Sequence, residues 1–145
     1  MIKKPFCTEL YNKYDNPAKV TLVEHLLNEG HELLNEKENY NADIATEKEG
    51  VTYYSEAEIK AAWTDDWPTT WTEIRIPERK KRLLAKHTEN LKFYIFRKDL
   101  KQCWCIDSSQ LIEDNLKEAR GRNIYKGEKF FHIPYKEAQL INLAQ

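Results

Sequence analysis

The sequence predicts a mixed α/β domain built on one central β-sheet. Three observations point there. The 145 residues suit one domain, spanning residues 1–145. Hydrophobic residues make up 41%, enough for a packed core, and the 32% that are charged give a heavily solvated surface. The apolar patterns run in the order helix, three strands, helix, then further strands.

The first helix starts at Asn16, which can cap it, and Pro17, which fits its first position. Val20, Val23 and Leu27 form its apolar stripe, widened by Leu22 and Leu26, and Gly30 terminates it. Short strands are expected at residues 31–34 and 42–46, and Gly50 precedes a long strand over residues 51–63. Residues 64–72 hold Pro68 and read as a loop. Pro77 opens a second helix, ERKKRLLAKH. "LKFYIFR" and "QCWCI" are two more strands joined in hairpin style by KDLK. A basic stretch, "ARGRNIYKG", leads to a last apolar segment, FFHI.

The net charge is −1 and the pI about 6.4, so the chain lacks the strong basicity of many nucleic-acid binders, although a local patch can still be basic. Three cysteines, no signal-peptide pattern and no run of apolar residues long enough for a membrane span give an expectation of a reducing, intracellular, cytoplasmic setting.

The chemistry is concentrated in "SEAEIK", residues 55–60. In a strand, Glu56, Glu58 and Lys60 project from one face and Ser55, Ala57 and Ile59 from the other. Asp43 lies 15 residues before Glu58, on the adjoining strand candidate. If the two strands pair, the carboxylates meet at one end of the sheet. Two such groups repel and raise one pKa unless a cation lies between them, and hard oxygen donors suit Mg²⁺ or Mn²⁺. The alternative is a solvated strand face with a cross-strand ion pair. Glu24 stands on the shoulder of the helical stripe, either as a rim residue or aimed at what the sheet displays.

The run "VEHLLNEGHELL…NADIA…AEIK" resembles the PD-(D/E)XK nuclease superfamily, especially its small Holliday-junction-resolvase-like members. Glu24, Gly30, Asp43, Glu58 and Lys60 fall in the family's order, and "IPERKKRLL…LKFYIFRKDLKQCWCI" is similar to its second helix and following strands. The resemblance covers roughly residues 17–107, with Ala42 where the family often has proline before its aspartate. It implies a restriction-endonuclease-like core, a central mixed sheet flanked by helices in the order α-β-β-β-α-β. It implies metal-dependent hydrolysis of DNA phosphodiester bonds with Mg²⁺ or Mn²⁺. Asp43, Glu58 and the main-chain carbonyl of Ile59 would hold the metal, Glu24 would act at its edge, and Lys60 would assist the attacking water. Glu56 points to the same face but matches no family position and is a possible extra ligand. Duplex or branched DNA is the implied partner, and a homodimer is compatible. The other reading is a binding module that keeps the fold without hydrolysis.

DNA contacts are expected from Arg79 and Lys80 on the second helix and from Arg120 and Arg122 in the late loop. The frame "WTEIRIP" mimics acid-x-lysine with Glu73 and Arg75, but arginine keeps its proton and cannot serve as a base. Cys103 and Cys105 read as buried free thiols, and the tryptophans Trp63, Trp67 and Trp71 as packing groups that could also stack on bases.

Overall fold

The computed structural model describes residues 17–34, 43–85, 90–119 and 127–143. The expectations for Asn16, Ala42, Arg120 and Arg122 lie outside these residues. Helix α1 spans Pro17–Asn28. Nine strands follow among the described residues: β1 (Glu32–Leu33), β2 (Ile44–Lys48), β3 (Val51–Lys60), β4 (Glu73–Pro77), β5 (Leu91–Arg97), β6 (Gln102–Asp107), β7 (Leu116–Glu118), β8 (Lys129–Pro134) and β9 (Gln139–Asn142). The fold is mixed α/β and rich in strands.

The strands form two sheets where one was expected. The larger has six strands in the order β1-β2-β3-β5-β6-β9, and the smaller has three, β4-β8-β7. Every pairing is antiparallel except β3 with β5, which run parallel from Tyr54↔Leu91 to Lys60↔Arg97. The second sheet exists because "EIRIP" alternates: Ile74 and Ile76 bury one face while Arg75 stays exposed.

The six-stranded sheet separates two cores. On one face, Ala18, Leu22, Val23 and Leu26 of α1 pack against Ile44, Ala57, Tyr94, Phe96, Cys103 and Cys105. Of the expected stripe, Leu22, Val23 and Leu26 are buried and Val20 packs against them, Ala18 joins at the first turn, and Leu27 is 37% exposed. Gly30 closes the helix at φ 94°, a left-handed conformation that glycine adopts without strain, and the His31 N–H donates to the Leu26 carbonyl. On the opposite face, Ile74, Ile76, Phe131 and Ile133 of the small sheet meet Phe93, Ile95, Trp104 and Ile106. The segment expected as a second helix forms a 3₁₀ helix over Glu78–Ala85, directly after β4.

β2 and β3 form a hairpin whose two turn residues, Glu49 (φ 52°) and Gly50 (φ 80°), both adopt positive φ. This tight turn fixes the register from Lys48↔Val51 to Ile44↔Ser55. The charged stretch is therefore pinned to one position along the sheet.

Candidate functional site

Strand alternation places Glu56 and Glu58 on the face of β3 away from α1, since Ala57 between them packs into the α1 core. Glu56 is only 4% exposed. Its Oε2 accepts the Asp43 backbone N–H at 2.6 Å, while Asp43 Oδ2 accepts the Ala57 N–H at 3.0 Å. The two acids are interlocked through backbone groups at the start of β2. The other Asp43 oxygen lies 3.3 Å from Lys19 Nζ on α1.

Lys80, on the 3₁₀ helix, closes the cluster. Its Nζ is 2.9 Å from Glu56 Oε1 and 3.4 Å from Glu58 Oε1. Burial pushes the Glu56 carboxyl above the usual carboxylate range, and the neighbouring Asp43 charge adds to the shift; the hydrogen bond and charge of Lys80 offset only part of it. Burial pulls Lys80 down, but the Glu56 hydrogen bond and the charges of Glu56, Glu58 and Asp43 outweigh it, so its pKa lies above the ordinary lysine value. The ammonium is thus held charged against two carboxylates.

Lys60 lies two positions beyond Glu58 and follows a different course. Its Nζ sits 5.1 Å from the centroid of the Trp71 ring. Burial, and then the charge of Arg75, depress its pKa. Lys60, Thr70, Trp71, Thr72, Glu73 and Arg75 line a cavity of about 310 Å³.

The remaining expected residues are dispersed. Glu24 is half-buried on α1, the helix that covers the opposite face; the α1 side chain that reaches Asp43 is Lys19. Ile59 is 38% exposed between Glu58 and Lys60 and is paired with Phe96 of β5. Arg79 is exposed, whereas its neighbour Lys80 turns inward to the acids. Cys103 and Cys105 are free and buried, and burial pushes the Cys103 thiol up to about 12. Trp63 and Trp67 pack edge to face, as do Trp67 and Trp71, within the second core.

Two participants take parts other than those the sequence suggested. Glu56, read only as a possible extra ligand outside the family positions, is the most buried acid of the cluster, and Lys80, read as a phosphate contact, is its counter-ion. The Glu56 position was available in the sequence: a two-residue turn at Glu49 and Gly50 sets Asp43 opposite Glu56 by counting back along the hairpin.

Asp43, Glu56 and Glu58 offer hard oxygens of the kind Mg²⁺ and Mn²⁺ prefer, but among the described residues no group of three His, Cys, Asp or Glu side chains is placed to hold a metal ion. No family model matches the chain, and no curated protein matches it.

Proposed function

We propose that this chain is a metal-dependent DNA endonuclease with a restriction-endonuclease-like core. The observation that carries the reading is the convergence of Asp43, Glu56 and Glu58 with the Lys80 ammonium at one end of the β2–β3 hairpin. The element order supports it: α1, the β1-β2-β3 meander, a crossover and β5 follow the order the resemblance implies, with β4 and a 3₁₀ helix in place of the second α-helix.

In this reading Asp43, Glu56 and Glu58 would hold Mg²⁺ or Mn²⁺. The ion would act as a Lewis acid and lower the pKa of a water for attack on the phosphodiester. The chain's own groups prepare that step. The Ala57 N–H fixes one Asp43 oxygen, and the Asp43 N–H fixes Glu56, so both carboxylates are held by backbone and cannot swing apart. Lys80 restrains Glu56 and Glu58 together and places a positive charge where negative charge would build on the phosphate. Lys60 lies further along the same strand face and would engage the next part of the strand rather than the acids.

One observation favours the alternative, a binding module that keeps the fold without hydrolysis: Lys80 already serves as the counter-ion of two carboxylates, as in a structural ion pair. Incubation of the protein with supercoiled plasmid and with a synthetic four-way junction, each with Mg²⁺ or Mn²⁺ and with chelator, separates the readings. Ion-dependent nicking lost in Asp43→Asn supports the nuclease. Intact DNA under all conditions, from a protein that melts cooperatively, supports the module.

A further inference from the structure

The cavity beside Trp71 brings two cations together. Lys60 enters it from β3, and Arg75 from β4. Among the described residues, no carboxylate lies within ion-pair distance of either one. The acid that also lines the cavity, Glu73, is drawn to the buried His132, whose Nδ1 is 3.5 Å from its Oε1. The cavity thus holds two cationic side chains with no carboxylate counter-ion among the described residues, an arrangement that an entering anion complements.

The rest of the lining specifies the anion. Thr70 and Thr72 carry hydroxyls that can donate to phosphate oxygens. Trp71 provides an indole, held at its carbonyl by the Trp67 Nε1–H at 2.6 Å and by edge contact with the Trp67 ring. An indole anchored in this way is a stacking surface for a base. The volume, about 310 Å³, lies near the lower end of the range of ligand pockets and suits one small unit rather than a duplex.

We propose that the Lys60–Arg75–Trp71 cavity binds a single nucleotide, its phosphate between Lys60 and Arg75 and its base against Trp71. The site is separate from the carboxylate cluster and does not depend on cleavage. The nucleotide can be free or can be the phosphorylated end of a DNA strand, since both present the same phosphate and base.

The test uses the full chain without divalent ions, so that the carboxylate cluster plays no part. Thymidine 5′-monophosphate, thymidine and inorganic phosphate are titrated by calorimetry, with the Trp71 indole signal followed by NMR. The monophosphate should bind, shift the Trp71 signal, and bind at least about tenfold more tightly than thymidine or phosphate alone. Lys60→Met and Arg75→Met should each weaken it by about tenfold. Short oligo-dT with and without a 5′-phosphate, added as competitors, identify the source: displacement only by the phosphorylated strand marks a strand end, and displacement by neither marks a free nucleotide. A monophosphate that leaves the wild-type Trp71 signal unmoved overturns the proposal, even if the variants fail to fold. Equal affinity for inorganic phosphate overturns it as well, because the base would then contribute nothing.

Discussion

Lys80 and Glu56 meet at 2.9 Å across 24 residues of chain and tie the 3₁₀ helix of the crossover to the centre of the large sheet. Both side chains are largely sequestered, at 13% and 4% exposed. A sequestered pair is costly to break from one side, because the remaining charge is stranded.

The first prediction concerns stability and its pH dependence. The folded chain holds the Glu56 proton more tightly than the unfolded chain, so stability is fully present below the ordinary carboxylate pKa and is lost as pH rises through the raised folded value. Lys80 limits that loss, and its own raised pKa keeps it charged until alkaline pH. Lys80→Met should therefore cost little at about pH 4 and about 3 kcal/mol at about pH 8. Urea unfolding of wild type, Lys80→Met, Glu56→Gln and the double variant measures this. Additive effects at all pH values would show that the contact carries no coupling.

The second prediction is a joint cation site. Mn²⁺ calorimetry should show one binding event that is weakened in Asp43→Asn, Glu56→Gln and Glu58→Gln. Because burial makes Glu56 resist ionisation, binding should release a proton and tighten as pH rises above the ordinary carboxylate range. Three variants that titrate like wild type would rule the site out.

The third prediction separates the two lysines. If cleavage occurs, Lys80→Ala should lower kcat by about a hundredfold, since its charge lies at the acids. Lys60→Ala should mainly raise KM, since its ammonium faces Trp71 and Arg75. Steady-state kinetics on one oligonucleotide decides. A Lys60→Ala enzyme with normal KM and lost kcat would return Lys60 to the role of activating the attacking water.

The fourth prediction tests the turn that sets the register. At Gly50, φ is +80° and an added Cβ meets nothing within 4 Å, so the strain of Gly50→Ala is purely conformational, about 1 kcal/mol. Gly50→Asn, which tolerates this conformation better, should lose less. Thermal melts compare them, and equal losses would point to a cause other than backbone strain.

How legible was this in the sequence? The order of the first three strands, the glycine stop of α1 and the KDLK hairpin were readable because each has a local signal: alternation, a left-handed glycine or a tight turn. Most of the α1 stripe was readable, since Leu22, Val23 and Leu26 are buried and Val20 packs against them; small Ala18, one turn before Leu22, was not singled out, and Leu27 is exposed. β4 was passed over because its frame was read for chemistry and not for alternation, and β7 and β9 are only three and four residues long. Asp43 and Glu58 fall in the cluster, but Lys80 could not be foreseen, because its approach depends on how the crossover returns over the sheet.

The parallel seam between β3 and β5 has a kinetic consequence. On either side of it the sheet holds an antiparallel hairpin closed by a short turn, β2 with β3 and β5 with β6, while the seam itself joins positions such as Tyr54 and Leu91 across a long stretch of chain. Closing that stretch costs entropy before any seam contact can repay it. The two halves of the sheet should therefore form early and zip together late, in the rate-limiting step. Asp43 and Glu56 already meet within the β2–β3 half, whereas Lys80 lies in the crossover that the seam closes, so the ion pairs of Lys80 with Glu56 and Glu58 would be among the last contacts to assemble.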